Sequence, residues 1–320
     1  MKKLYYEDSH IKEFEATVTS CIYDEKKQVY SILLDQTAFF PEGGGQLCDL
    51  GTFQYMDKNE EISLPVLDVR IKENEIVHNT SKEIPVGTKI KGKIDWERRF
   101  DFMQQHSGEH IFSGLIHQRY GADNVGFHLG LSDVTLDFNQ VFTLSELREI
   151  EIMANQAIWE NLPVEDSFPD ALSLKEMDYR SKLELTEDVR IITIPGFDVC
   201  ACCAPHVKTT GEIGIIKVIS AASHRGGVRV TILCGKRALQ DYTRKQDNIF
   251  TISALLSAKQ EETAIFVERL KSEALTSKEQ INQLQTKLLL EKRKMSTGLR
   301  RFTAAPSGLV TRVHSLTLLL

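Results

Sequence analysis

The chain has 320 residues, 42% of them hydrophobic and 26% charged, a balance that suits one to three ordinary globular domains with a sizeable core. A net charge of −6 excludes nucleic-acid binding driven by bulk charge, and no apolar run is long enough to cross a bilayer as a helix. The start, Met1 to Glu7, has no apolar signal-peptide core, and the cysteines crowded at 200–203 read as metal ligands in a reducing cytosol better than as a disulfide framework.

Residues 1–95 read as β structure. Phe14–Val18 and Gln28–Leu34 are rich in β-branched and aromatic residues, while Val66–Ile71 and Lys89–Ile94 alternate apolar with polar. Short strands with turns between them suggest a small barrel. Within this part, Phe39-Phe40-Pro41-Glu42-Gly43-Gly44-Gly45-Gln46 carries three consecutive glycines. Such a run suits a backbone that approaches a phosphate or sugar closely, or else a hairpin tip, and no Lys-Ser/Thr follows to make it a P-loop.

From Trp96 the apolar spacing becomes helical, through Phe102, Met103, Ile111, Phe112, Leu115 and Ile116, with Gly121 as the stop. Gly108 inside this helix is expected where a metal site or substrate packs close. Asn124–Gly130 and Asp133–Phe138 look like strands. Thr143 with Glu146 forms a capping box that opens a helix from about Leu144 to Asn161, halted by Pro163. Val189–Ile194 reads as a strand that delivers the cysteine-rich loop, with further strands at Gly214–Ile219 and Gly227–Leu233. From Gly235 onward the pattern is one long helix, in a solvent-exposed helical hairpin or a coiled coil for homodimer contact; after Ser296 the order ends, and the tail looks like a domain cut short. The fold class is therefore α+β: a small N-terminal β-barrel over 1–95, an α+β domain with an antiparallel sheet over 96–240, and a long C-terminal helix over 241–320.

Two histidines, His106 and His110, stand four apart, so both imidazoles leave one helix face. Cys202 and His206 repeat that spacing 92 residues beyond His110. Three nitrogens and one sulfur suit one tetrahedral zinc ion, and ligands from distant elements suit a reactive pocket or a metal that staples the core. Cys200 and Cys203 are extra thiols that compete as ligands. The run from His106 to His110 also matches the inverted zincin peptidase pattern H-x-x-E-H, with Glu109 as base and Glu184 or Glu187 as third ligand; Cys202 and His206 would then be idle. Between 208 and 245 lie eight lysines and arginines, Lys208, Arg225 and Arg229 among them, against Glu212 and Asp241. This local excess reads as a phosphate-facing surface, or as ordinary solvated strand edges.

Taken together, Phe39–Gln46, His106-x3-His110, Gly196-Phe197-Asp198-x3-Cys202-x3-His206-Val207, Thr210–Gly214 and Gly227-Val228-Arg229 resemble the alanyl-tRNA synthetase editing domain in its free-standing form, the alanyl-tRNA editing proteins, over roughly 14–240. That family's usual Cys-Gly-Gly-Thr-His reads Cys202-Cys203-Ala204-Pro205-His206 here. The resemblance implies a cytoplasmic enzyme that hydrolyses the ester of mischarged Ser-tRNA(Ala) or Gly-tRNA(Ala) in trans, without charging tRNA itself. It implies one zinc ion on His106, His110, Cys202 and His206, which activates water or orients the substrate. Gly43, Gly44, Gly45, Gln46, Lys208, Arg225 and Arg229 are the expected tRNA contacts. His128 is a candidate catalytic contact, otherwise a core histidine, and Glu109 is a carboxylate behind the metal ligands. A non-catalytic tRNA-binding module with a structural zinc is the other alternative.

Overall fold

Alternating burial along six strands closes the first third of the chain into a barrel in the computed structural model, which describes residues 1–181 and 189–303. Glu184, Glu187 and the tail from 304 lie outside the described residues. A short parallel pair, β1 (Lys2–Lys3) with β4 (Gln36–Thr37), flanks the barrel. The barrel strands are β2 (Glu13–Asp24), β3 (Val29–Leu34), β5 (Gly51–Asp57), β6 (Glu60–Lys72), β7 (Glu75–Thr80) and β8 (Lys89–Ile94), in the order β2-β3-β7-β6-β5-β8. Phe14, Val18, Ile32, Phe53, Val69 and Ile90 point inward, so alternate residues fill the interior while their neighbours face out. In β7 that alternation fails: Ile76, Val77, His78, Asn79 and Thr80 are all buried. His78 lies between the rings of Phe39 and Phe53, accepts from Thr37 Oγ1 at 2.8 Å and donates to the Ile32 carbonyl at 3.2 Å.

Helix α1 (Trp96–Tyr120) leaves the barrel. Asp95 caps it by accepting from Arg98 N at 3.2 Å, and Gly121 ends it at φ 64°. A four-stranded antiparallel sheet packs on α1, in the order β14 (Ile216–His224), β15 (Gly227–Cys234), β10 (Val134–Phe138), β9 (Asn124–Leu129). Helix α2 (Leu144–Glu160) has the expected capping box and contacts both α1 and β14. Strands β11 (Glu165–Ser167), β12 (Ile191–Ile194) and β13 (Asp198–Ala201) form a third sheet, and a short helix, α3 (Ala171–Glu176), lies between β11 and β12 in the chain. Gly108 lets β15 come close: a Cβ there would collide with Cys234 Sγ. The close neighbour expected at Gly108 is thus a strand, not a metal or substrate.

Arg99 and Asp49 tie helix to barrel, both fully buried. Arg99 Nε donates to both Asp49 oxygens at 3.0 Å, and its other nitrogens donate to the carbonyls of Ser9 and Ala38. Asp49 in turn accepts from Phe40 N at 2.6 Å. Both ends of the glycine-rich loop are therefore fixed on the first turn of α1.

Contacts divide the chain into two compact units, Met1–Tyr242 and Thr243–Leu320. The expected long C-terminal helix is α5 (Thr263–Thr303), and a separate helix, α4 (Gly235–Leu256), precedes it. Ser257 at φ 49° ends α4, with Ala258 N donating to Ser253 O at 3.1 Å. Along α5, Ile281, Leu284 and Leu288 are exposed.

Burial lowers the pKa of His78 from 6.5 to about 4. The unfolded chain therefore binds the proton first as pH falls. This contribution to stability is present above pH 6.5 and is lost as pH drops toward 4, by roughly 3 kcal/mol. Urea denaturation of the wild type and of His78→Leu at pH 7 and pH 4.5 should show the smaller pH loss in the variant.

Candidate metal centre

Helical periodicity puts His106 and His110 on the same face of α1, and the chain after β13 brings the other two side chains to them. Cys202 N donates to Arg190 O at 3.0 Å, and the Arg190 guanidinium donates to the Ala204 carbonyl at 2.7 Å and to Asp166 at 2.9 Å. One buried arginine thus shapes the loop that carries the thiol. Ser107 anchors the loop's far end, accepting from Val207 N at 3.3 Å.

The ligand atoms of His106, His110, Cys202 and His206 all lie within 4.8 Å of one another. Cys202 Sγ is 3.5 Å from His106 Nε2 and 3.3 Å from His206 Nε2. The opposite ring nitrogen of each histidine has an oxygen partner: Gln46 Oε1 for His106 at 2.8 Å, Asp198 Oδ2 for His110 at 2.9 Å, and Ser107 Oγ for His206 at 3.0 Å. Amide and carboxylate oxygens only accept, so His106 and His110 each carry a proton on Nδ1, which leaves Nε2 as the nitrogen that can face an ion. Ser107 allows the same tautomer in His206. Two nitrogens of Arg180 bind Asp198 at 2.7 and 2.9 Å.

The electrostatics favour a cation at the centre. Burial, then the neighbouring His110 and His106, holds His206 well below the usual imidazole range, so the ring is neutral. Burial pushes the Cys202 thiol up, so a thiolate there is costly unless a cation offsets its lost hydration. Burial also opposes ionisation of Asp198, but hydrogen bonds from His110 and Arg180 outweigh it and hold its carboxyl below the usual range. Three imidazoles and a thiol that ionises on binding form a donor set that fits a divalent metal ion.

A cavity of about 980 Å³ opens on this centre, with His106, His110, Cys202 and Glu109 in its wall. Glu109 is 3% exposed, and its Oε1 accepts from Ser113 Oγ at 2.8 Å and Asn124 Nδ2 at 2.6 Å. Gly44 and Gly45 line the cavity too. They take φ 60° and 79° in a two-residue turn closed by Gly43 N to Gln46 O at 3.1 Å and Gln46 N to Gly43 O at 3.0 Å. The turn sends Gln46 inward to His106, while Gly45 O accepts from Leu129 N at 2.9 Å. Cys200 and Cys203 line the cavity as well, Cys200 beside His110 and Asp198.

The remaining expected residues lie elsewhere. His128 is exposed on β9, opposite Thr135 and outside the cavity wall, so it is not the core histidine of the alternative reading. Lys208 pairs with Asp8 at 3.0 Å, and Arg229 binds Asp137 at 2.6 and 2.7 Å. Arg225 is exposed at the β14–β15 turn. Lys217, Lys236 and Arg237 pair with Glu151, Glu97 and Asp101. The local positive excess read from the sequence is thus largely balanced by acids from other elements. Sequence reasoning did not assign Asp198, Arg180 or Ser107 as partners of the ligands. Asp198 stood in a recognised motif, whereas the pairing of Ser107 with His206 joins residues 99 positions apart and leaves no local pattern.

Asp198→Asn keeps the size and removes the charge that orients His110. It should weaken metal binding about 10–100-fold, read by competition with a chromophoric chelator.

Residues 189–230 match the family model described as the threonyl and alanyl tRNA synthetase second additional domain, and residues 2–98 match class II (A) tRNA synthetases. The alanyl-tRNA editing protein AlaX-L of Pyrococcus horikoshii is 33% identical across 75% of this chain and 59% of its own length. The alanine–tRNA ligase of Ignicoccus hospitalis is 31% identical across 93% of this chain and 33% of its own, and that of Natronomonas pharaonis 32% identical across 90% and 31%. The chain therefore spans about a third of the length of these ligases.

Proposed function

The chain belongs to the alanyl-tRNA synthetase editing-domain family, and from that premise we propose that it is a zinc-dependent hydrolase that deacylates mischarged Ser-tRNA(Ala), and Gly-tRNA(Ala), in trans. The observation that carries this reading is the convergence of three imidazole Nε2 atoms and one thiol on the wall of a cavity large enough for an aminoacyl ester and its terminal nucleoside. His106, His110, Cys202 and His206 hold the ion, and Gln46, Asp198 and Ser107 fix the ring orientations that make this work. Zinc bound there would supply Lewis-acid polarisation and activation of water near neutral pH. The protein residues bind the acyl group, keep the ester next to the ion and restrict bulk water.

The turn of Gly43, Gly44 and Gly45 offers backbone to the 3′ end of the tRNA. Gln46 adds Nε2, buried without a hydrogen-bond partner and so ready to donate to substrate. Arg225 and Lys208 are exposed and reach phosphate by charge alone; Arg229 takes part only by giving up Asp137. His128, exposed near the glycine turn, is a contact for tRNA more than for the reacting ester. The apolar residues exposed along α5 support a homodimer through that helix.

The H-x-x-E-H peptidase reading is weakened because Cys202 and His206 join the histidines, so the second pair is not idle. A purely structural ion is weakened because three of its ligands line a cavity.

The purified protein should deacylate Ser-tRNA(Ala), with activity lost after chelation and restored by Zn²⁺. His106→Ala should lower the rate at least about 100-fold. A metal-replete protein that leaves the ester intact over long incubation would rule the reading out.

A further inference from the structure

We propose that Phe127 is the stop for the acyl side chain: its ring limits the site to esters of the smallest amino acids and turns away longer or branched ones. This rests on the esterase reading above and deepens it by naming the residue that sets acyl size.

Phe127 lies on β9 and forms part of the cavity wall. Its ring centroid is 4.8 Å from that of His106, with the planes at 54°, so an apolar plate adjoins one of the four candidate ligands. The surroundings hold it there. The glycine turn presses on it: a Cβ on Gly45 would lie 2.7 Å from the Phe127 carbonyl oxygen and 2.9 Å from a ring carbon. The bond from Leu129 N to Gly45 O at 2.9 Å keeps turn and strand together. Across the ladder Phe127 pairs with Leu136 of β10, which is fully buried, and its side chain packs against the main core of the helix and sheet. A ring bounded by a backbone turn, an imidazole and a close-packed core cannot back away from a bulky ligand without moving backbone.

Depth decides which part of the substrate meets this ring. Val125, two residues earlier on the same strand, is 65% exposed, and its side chain also lines the cavity. Phe127 is half-buried, and His106 beside it is 2% exposed. The wall thus runs from solvent at Val125 inward to the metal-binding group. In an aminoacyl-tRNA the acyl group is the tip, while the RNA has to continue outward. The tip therefore goes deepest, with its carbonyl at the ligand cluster, and the first side-chain atom is only two bonds from that carbonyl carbon. Glycine has no side chain to place and serine a short one. Threonine adds a branch and leucine a longer branched chain, and these would meet the fixed ring. A methylene more or less in such a pocket changes kcat/KM by about 10–200-fold.

The test uses tRNA(Ala) acylated chemically with glycine, serine, threonine or leucine. Each ester is offered to zinc-loaded wild type, Phe127→Ala and the milder Phe127→Leu, with zinc content and thermal melting measured for each. Wild type should cleave the leucyl ester about 100-fold more slowly in kcat/KM than the seryl ester, with threonine between them. In Phe127→Ala the leucyl-to-glycyl ratio should rise by about 10–100-fold, and in Phe127→Leu by less. A ratio taken within one variant cancels any common loss from a disturbed His106. In parallel, the glycyl and leucyl forms of 3′-aminoacylamino-3′-deoxyadenosine, whose amide is not cleaved, are titrated by calorimetry. Phe127→Ala should bind the leucyl form more tightly than wild type does. The proposal fails if wild type cleaves leucyl and seryl esters alike, or if both variants keep the wild-type ranking. It also fails if the variants slow all four esters equally, because the ring would then only support His106. Should wild type cleave no ester, the esterase reading falls, while the calorimetry still decides whether Phe127 limits the acyl side chain.

Discussion

Three imidazoles can share one cation only if each turns a lone pair toward it, and that depends on what the other nitrogen touches. Here an amide oxygen, a carboxylate and a hydroxyl take the three Nδ1 positions, from a glycine turn, from β13 and from α1 itself. Much of the structure around the centre can be understood as the means of delivering those three oxygens. The arrangement is costly without an ion, since burial opposes both a charged His206 and an ionised Cys202. It becomes favourable when a cation draws on the same lone pairs.

Gln46 makes the barrel part of the site. The turn that carries it ends a loop whose two sides are fixed by Asp49 and Ala38, and both are held by Arg99. Removing one partner of a buried ion pair typically costs 3–5 kcal/mol, so this tie is stiff. Any shift of the barrel against α1 would therefore move the oxygen that orients His106. The barrel and the sheet-covered helix fall within one compact unit, which agrees with ligand-orienting contacts running between them.

Local patterns carried the fold well where periodicity and burial agree. Helix α1, the capping box of α2 and strands β3, β8, β10 and β15 are legible within a residue or two of their ends. Strand β7 was not legible, because the barrel buries five consecutive residues there and polar His78 and Asn79 conceal the strand. Strand β5 did alternate, with Phe53 and Tyr55 facing in, and was passed over between stronger signals. The four candidate ligands stood out by spacing, whereas their orienting partners did not, since a hydrogen bond across 60 or 99 residues leaves no period. The charge count over the basic stretch was incomplete for a related reason. Counting charges within a window ignores acids that other elements bring, such as Asp137 for Arg229 and Glu151 for Lys217.

The same distinction bears on what the metal-binding group is for. A group that only staples a fold does best when its ligands are enclosed on every side, because an open face lets water and competing ligands in. Here His106, His110 and Cys202 reach the wall of a cavity, and two glycines at positive φ hold back side chains that would otherwise narrow it. These features lower the stability of the folded chain and would be removed by selection for stability alone. An open face and a small-residue rim beside the ligands make sense together if part of a larger molecule enters from solvent.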